Sequence, residues 1–222
     1  MSAPVAILGA GGFGREVLDI LEAIRARGEP LEVAGFLVEE GFGEAGASVN
    51  DRPVLGGFDW LERHASEVDC LCAVGDPALR RRLVERARRC GARFRNAIHP
   101  AAVLTRRVEA GTGVVIGAGS VLTNRIRIGD HVHVNLLCTV GHDAVLGDFA
   151  TLAPGVHVSG GVRVGEGAHL GTGANVIEGI SVGEWSVLGA GATAVRDVPA
   201  NATAVGVPCR VIRTRPAGWH LA

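Results

Sequence analysis

Apolar residues follow two different rhythms along the chain. Through residues 1–98, short apolar runs alternate with stretches in which apolar residues recur every three or four positions. Val5–Leu8 is such a run. It leads into Gly9-Ala10-Gly11-Gly12-Phe13-Gly14, then into Val17, Leu18, Leu21 and Ile24, which share one helical face. The pattern predicts strand, turn, helix. Further strands are predicted around Val33–Val38 and Cys70–Val74, with a helix from near Pro77 that places Leu79, Leu83 and Val84 inside. Glu40–Asn50, rich in Gly, Ala, Glu and Ser, reads as a surface loop.

From Ala102 the period becomes six. Residues 102–197 divide into sixteen hexads without an insertion, and the third position of every one is aliphatic, from Leu104 and Ala110 through Ile116, Leu122 and Ile128 to Leu188 and Ala194. The first position is small or aliphatic, and the fourth is often Gly, as at Gly117, Gly129, Gly141, Gly147 and Gly165. A period of six suits neither a helix nor a simple alternating strand. It suits a triangular coil in which each face takes one hexad. Third positions then fill the prism interior, first positions pack at narrow corners that admit only small side chains, and the glycines are expected to serve tight turns. Two domains follow: an α/β unit over residues 1–98 and a coil of hexapeptide repeats with a terminal loop over 99–215.

Composition supports a thin, repetitive structure. The 222 residues include 33 Gly and no Tyr, and only 4% are aromatic. A net charge of −1 offers no electrostatic footprint for nucleic acid or an anionic membrane. The basic runs Arg80–Arg82 and Arg88–Arg89 read as a solvated helix face. No N-terminal signal and no long apolar stretch is present, which predicts a cytoplasmic protein without membrane insertion. Cys70, Cys72, Cys90, Cys138 and Cys209 are odd in number and lack C-x-x-C spacing, so reduced structural thiols are expected rather than a zinc cage.

One constellation can carry chemistry. His142 occupies the outward fifth position of the hexad 138–143 and is followed by Asp143. One coil earlier stand Asn124 and Arg125, and one coil later Gly160 and Gly161. The imidazole is thus predicted beneath a bare glycine pair with exposed N–H groups, where Asp143 orients it or pairs with Arg125. Such an imidazole suits removing a proton from an attacking amine or hydroxyl. A Gly160 N–H suits an oxyanion. Base rates alone would make His142 a surface residue. Among the other histidines, His131, His133, His157 and His169 are the candidate metal ligands; none lies one 18-residue coil from another, and they read as polar exterior residues, with no metal expected.

The chain resembles the bacterial nucleotide-sugar N-acetyltransferases of the perosamine N-acetyltransferase kind and the related sialic-acid O-acetyltransferases. The residues that carry the likeness are Gly9-Ala10-Gly11-Gly12-Phe13-Gly14-Arg15, Gly75-Asp76, Ile98-His99-Pro100, Asn135, Gly141-His142-Asp143 and Gly206-Val207-Pro208-Cys209-Arg210. The resemblance implies a small Rossmann-like domain followed by a left-handed parallel β-helix. It further implies a homotrimer, with acetyl-CoA lying between adjacent prisms. In such a family His142 matches the general base, Asp143 its orienting acid and Gly160 the N–H near the thioester. Gly9, Gly11, Gly12, Phe13, Gly14, Glu39, Gly75, Asp76 and Asn135 match the sugar-nucleotide site. Gly160, Gly161, Ala190 and Gly206, Val207 and Pro208 match cofactor positions.

The implied activity is acetyl transfer to the amino group of a nucleotide-linked 4-amino-deoxysugar. The alternatives are sugar O-acetylation and nucleotide-sugar binding without catalysis. Some members carry histidine where Phe13 stands and acidic pairs where Val38-Glu39 stand, which leaves the nucleotide base open among UDP, GDP and dTDP. Glu39 also follows the glycine turn at the distance of a dinucleotide fingerprint, but no second mononucleotide half follows.

Overall fold

The computed structural model describes residues 3–39 and 43–221, so residues 40–42 of the predicted loop lie outside the described chain. The chain divides into two compact units, Met1–Gly75 with Leu79–Pro100, and Asp76–Ala78 with Ala101–Ala222.

In the first unit the elements run β1 (Val5–Leu8), α1 (Gly12–Ala26), β2 (Val33–Leu37), β3 (Ser48–Val49), β4 (Arg52–Gly56), α2 (Phe58–His64), β5 (Asp69–Cys72), α3 (Pro77–Arg89), β6 (Arg93–Phe94) and β7 (Ala97–Ile98). The main sheet has the order β3-β4-β2-β1-β5-β6. β1 pairs in parallel with β2 on one side and β5 on the other, so the strand order reverses at β1. The helix α1 buries Val17, Leu18, Leu21 and Ile24, the face its spacing predicts. Five elements escape the sequence pattern. β3 is a two-residue strand inside the expected loop, and β4, β6 and β7 carry no pattern of their own. α2 has seven residues and buries only Leu61, too little for a readable period.

One further expectation fails in this unit. Arg80 is fully buried rather than solvated, and its Nη1 donates to the carbonyl oxygens of Val74 (2.9 Å) and Gly75 (3.3 Å). It stands on the same helical face as Val84 and Ala87, both fully buried.

The second unit is a left-handed parallel β-helix. Its sixteen strands, β8 (Val103–Leu104) through β23 (Thr193–Ala194), fall one to each hexad. Strands 18 residues apart pair in parallel: Val121 lies between Val103 and Thr139, and Thr139 is followed by His157. After the repeats, β24 (Ala202–Val205) continues one face and β25 (Arg210–Thr214) closes it antiparallel. Third positions from Ile116 to Ala194 are buried, whereas Leu104 is half-buried and Ala110 exposed in the first coil. Each buried Leu, Ile or Val contributes about 1.5–3 kcal/mol. The first-position corner is roomier than expected, since Ile126 fits there fully buried.

The glycines divide by position. Left-handed backbone falls on sixth positions, among them Gly119, Gly155, Gly161 and Gly173, and also Arg125, His131, Leu137, Asp143 and Phe149. The fourth-position glycines have ordinary φ but no room: a Cβ at Gly147 would lie 2.7 Å from Glu166 N and 2.9 Å from Gly165 C in the next coil. They permit coil-to-coil contact rather than turning the chain, which corrects the expectation.

Candidate active site

One edge of the prism runs along the fifth and sixth positions after the face that carries β8, β11 (Val121–Leu122) and β14 (Thr139–Val140). His142 and Asp143 sit on it, with Asp143 held at φ 60. The Asp143 N–H donates to Asn124 O (2.9 Å), and the Gly161 N–H to His142 O (2.7 Å), so backbone bonds to both neighbouring coils fix the pair. Gly141 must lack a side chain, because a Cβ there would fall 2.5 Å from Gly160 N.

Asp143 meets two partners. Its Oδ2 lies 2.9 Å from His142 Nδ1 and its Oδ1 3.3 Å from Arg125 Nε. The two contacts expected of Asp143 thus occur together. With Nδ1–H donating to the carboxylate, Nε2 is left as the ring's proton acceptor. The ring leans over Gly160, where a Cβ would lie 2.7 Å from both Cε1 and Nε2. Gly160 itself is buried. Of the glycine pair, only Gly160 keeps an N–H without a partner among the described residues, because Gly161 has spent its own on His142. Asn124 lies one coil earlier with Oδ1 buried and unpaired.

The other residues matched to substrate and cofactor are distributed. In the first unit, Gly9, Gly11, Gly12, Phe13, Glu39 and Gly75 line a single cavity of about 410 Å³ at the carboxyl ends of β1, β2 and β5, the switch point where open α/β sheets bind ligands. Gly11 caps α1 without a side-chain hydrogen bond, at the kind of helix N-terminus that favours an anion. Gly14 and Asp76 are not in the lining. Gly14 is buried against the carbonyl of Gly9 and closes helix on strand. Val38, expected near the nucleotide base, is in the lining, whereas the sequence missed the rest of the cavity's apolar wall, including Phe58 and Leu79. It also missed Arg86, which lies over the Phe58 ring at 4.1 Å and reaches Glu39 Oε1 at 3.3 Å.

In the second unit Asn135 and Ala190 lie on a different edge from His142. Asn135 Oδ1 accepts the Leu136 N–H at 2.7 Å. The loop Gly206–Pro208 is exposed, contains a cis Val207–Pro208 bond, and is tied to the last repeat strand by Thr193 N–H to Gly206 O and Cys209 N–H to Thr193 O.

Thiol chemistry is disfavoured. Cys138 is buried, its Sγ 3.2 Å from Ala153 O, and burial pushes its thiol up. Burial pushes Cys70 and Cys72 up to about 12. Among the described residues no group of three or more His, Cys, Asp or Glu is arranged to hold a metal ion. Two histidines depart from the expected exterior setting. His131 is fully buried and stacks on Phe149 with ring centroids 5.3 Å apart, and His133 is 1% exposed in a buried row with Val115 and Thr151. No helix among the described residues is long and apolar enough to cross a membrane.

The profile of the PglD N-terminal domain matches residues 4–87. The crystal structure of a histidine-to-asparagine mutant of perosamine N-acetyltransferase from Caulobacter crescentus, in complex with CoA and GDP-perosamine, is 35% identical. The alignment covers 95% of this chain and 97% of that one, with a TM-score of 0.87. The chain belongs to the bacterial hexapeptide-repeat sugar acetyltransferases. Similarity extends across this family to the acetyltransferase domain of PglB from Neisseria gonorrhoeae in complex with acetyl coenzyme A, with 31% identity over 96% of this chain and 100% of that one and a TM-score of 0.86. WeeI from Acinetobacter baumannii matches at 29% identity over 94% and 99% of the two chains, with a TM-score of 0.84. No curated protein matches. As a member of this family of acetyltransferases, the protein is an acyltransferase.

Proposed function

We propose that the protein transfers the acetyl group of acetyl-CoA to the amino group of a nucleotide-linked 4-amino-deoxysugar, by direct attack and without an acyl-enzyme. The observation that carries this reading is the His142–Asp143–Arg125 arrangement, with Nε2 of His142 leaning over Gly160. The amine nitrogen attacks the thioester carbonyl, and Nε2 takes the proton that the nitrogen sheds. The Gly160 N–H donates to the oxyanion. Collapse forms the amide, breaks the C–S bond, and returns the proton from the imidazolium to the sulfur of coenzyme A. Asp143 holds the tautomer throughout. CoA and GDP-perosamine in the Caulobacter relative support the choice of both substrates.

The nucleotide occupies the apolar cavity lined by Gly9, Gly11, Gly12, Phe13, Glu39 and Gly75, its nucleoside-proximal phosphate near the N-terminus of α1. Coenzyme A runs along Gly160, Gly161, Ala190 and Gly206–Pro208 by backbone contact. Those residues lie on separate edges of one prism, so a groove between two copies assembles them, and the protein acts as a homotrimer. Exposed Leu136, Leu137, Val103 and Val121 supply an apolar surface for that packing. The substrates place the reaction in the cytoplasm, feeding glycan assembly.

The test is thiol release from acetyl-CoA with UDP-, GDP- and dTDP-linked 4-amino-deoxysugars beside their 4-hydroxy analogues. Release with one class of amine and not with its hydroxy analogue is expected. Release only with hydroxy sugars would establish O-acetylation instead, and binding without release would leave a non-catalytic protein.

A further inference from the structure

The first coils of the edge that carries His142 are basic. Read coil by coil, its fifth and sixth positions are Arg106-Arg107, Asn124-Arg125, then His142-Asp143. Arg127, on the next face, stands opposite Glu109 in the strand pairing. Four guanidiniums therefore face two carboxylates, and one of those, Asp143, is already engaged by Arg125 and His142. The side chains of Arg106 and Arg107 are exposed and make no ion pair or hydrogen bond among the described residues. Guanidiniums of this kind recognise phosphate through paired N–H donors.

Their height along the edge gives them a purpose. Successive coils are separated by about 4.8 Å, so Arg125 stands about 5 Å and Arg106-Arg107 about 10 Å above His142. A pyranose whose amine lies across the ring from its phosphate-bearing carbon spans a comparable length. With the amine at Nε2 and the ring running up the edge, its phosphate arrives at the arginines. The positions matched to coenzyme A lie the other way, at Gly160 one coil later and in the last coil and terminal loop.

We propose that Arg106 and Arg107 bind the sugar-proximal phosphate of the acceptor and so align the amine with His142. The assignment rests on the acetyl-transfer reading, and its readout is separate. KM is measured for the nucleotide-linked amino sugar and for acetyl-CoA in the native protein, in an R106Q/R107Q variant and in an R106K/R107K variant.

The glutamine pair is expected to raise KM for the acceptor about tenfold or more, the scale of one lost charge-assisted contact, while KM for acetyl-CoA holds. The lysine pair, which keeps the charge, is expected to restore much of the loss and shows that the exposed positions tolerate substitution. An unchanged acceptor KM overturns the proposal. So does a rise confined to acetyl-CoA, which would assign the phosphate to coenzyme A. If the native protein releases no thiol with any nucleotide-linked amine, the acetyl-transfer reading itself fails. Native turnover with an indifferent glutamine pair removes only the arginine assignment.

Discussion

Two edges of the same prism put similar residues to opposite uses. Along one, the fifth and sixth positions are Thr112-Gly113, Asp130-His131, Asp148-Phe149, Glu166-Gly167 and Glu184-Trp185. Here the carboxylates serve the backbone: Asp130 Oδ1 accepts the Thr112 N–H and Asp148 Oδ1 the Asp130 N–H, each at 2.8 Å. The rings pack, His131 on Phe149 and Trp185 on His220 with centroids 3.7 Å apart. Along the other edge, Asp143 turns to its neighbours' side chains and leaves the imidazole of His142 mostly in solvent, its side chain 63% exposed. One backbone repeat therefore presents an aspartate and a histidine on both edges, but only one pair faces outward. What differs is the order: Asp-His places the ring at the left-handed sixth position, where it folds back over Gly113, whereas His-Asp places it at the fifth, where it projects.

Short of removing His142 itself, the largest effect is expected from Gly160→Ala. The new Cβ would lie 2.7 Å from Cε1 and Nε2 and push the ring aside, and a misplacement of about 1 Å at a reacting group costs about 100-fold in turnover; a kcat measured within a few-fold of native would show that the ring's seat is immaterial. Asp143→Asn keeps an acceptor for Nδ1 but loses the charge, and kcat/KM is expected to fall about tenfold to 100-fold, matching 1.5–3 kcal/mol for a hydrogen bond to a charged group.

The glycine distinction gives the next two effects, read by chemical denaturation. Gly147→Ala forces a Cβ onto the next coil's backbone, an overpacking cost of about 1–3 kcal/mol. Gly155→Ala meets nothing closer than 4.0 Å, yet sits at φ 69, so its cost is about 1 kcal/mol of left-handed strain. Equal costs would erase the difference between the two kinds of glycine.

The repeat was legible because a fold that stacks equivalent residues every 18 positions must repeat its interior, and the aliphatic third positions announce it. The period also assigned His142 and Asp143 a place one coil from Gly160, but only the family resemblance pointed from that place to chemistry. The role of a glycine was not, because one letter serves both a positive φ and a close contact, and only the coil spacing separates them. His131 was misread because period alone does not reveal that Phe149 covers it. Arg80 carried a signal: its spacing to Val84 and Ala87 marks the buried face, although a run of three arginines resembles a solvated one. Phe58 and the cavity wall had no such signal, being carried by a helix of seven residues.

The most direct measurement is thiol release from acetyl-CoA, with the nucleotide-linked amino sugar that the native protein accepts, by His142→Ala and His131→Ala side by side, each corrected for its folded fraction. His142→Ala is expected to lose about 100-fold to 10,000-fold in turnover with its melting temperature preserved. His131→Ala is expected to keep its turnover and lose about 1–3 kcal/mol of stability. Activity surviving in the first, or abolished in a folded sample of the second, would contradict the assignment of chemistry to the outward edge.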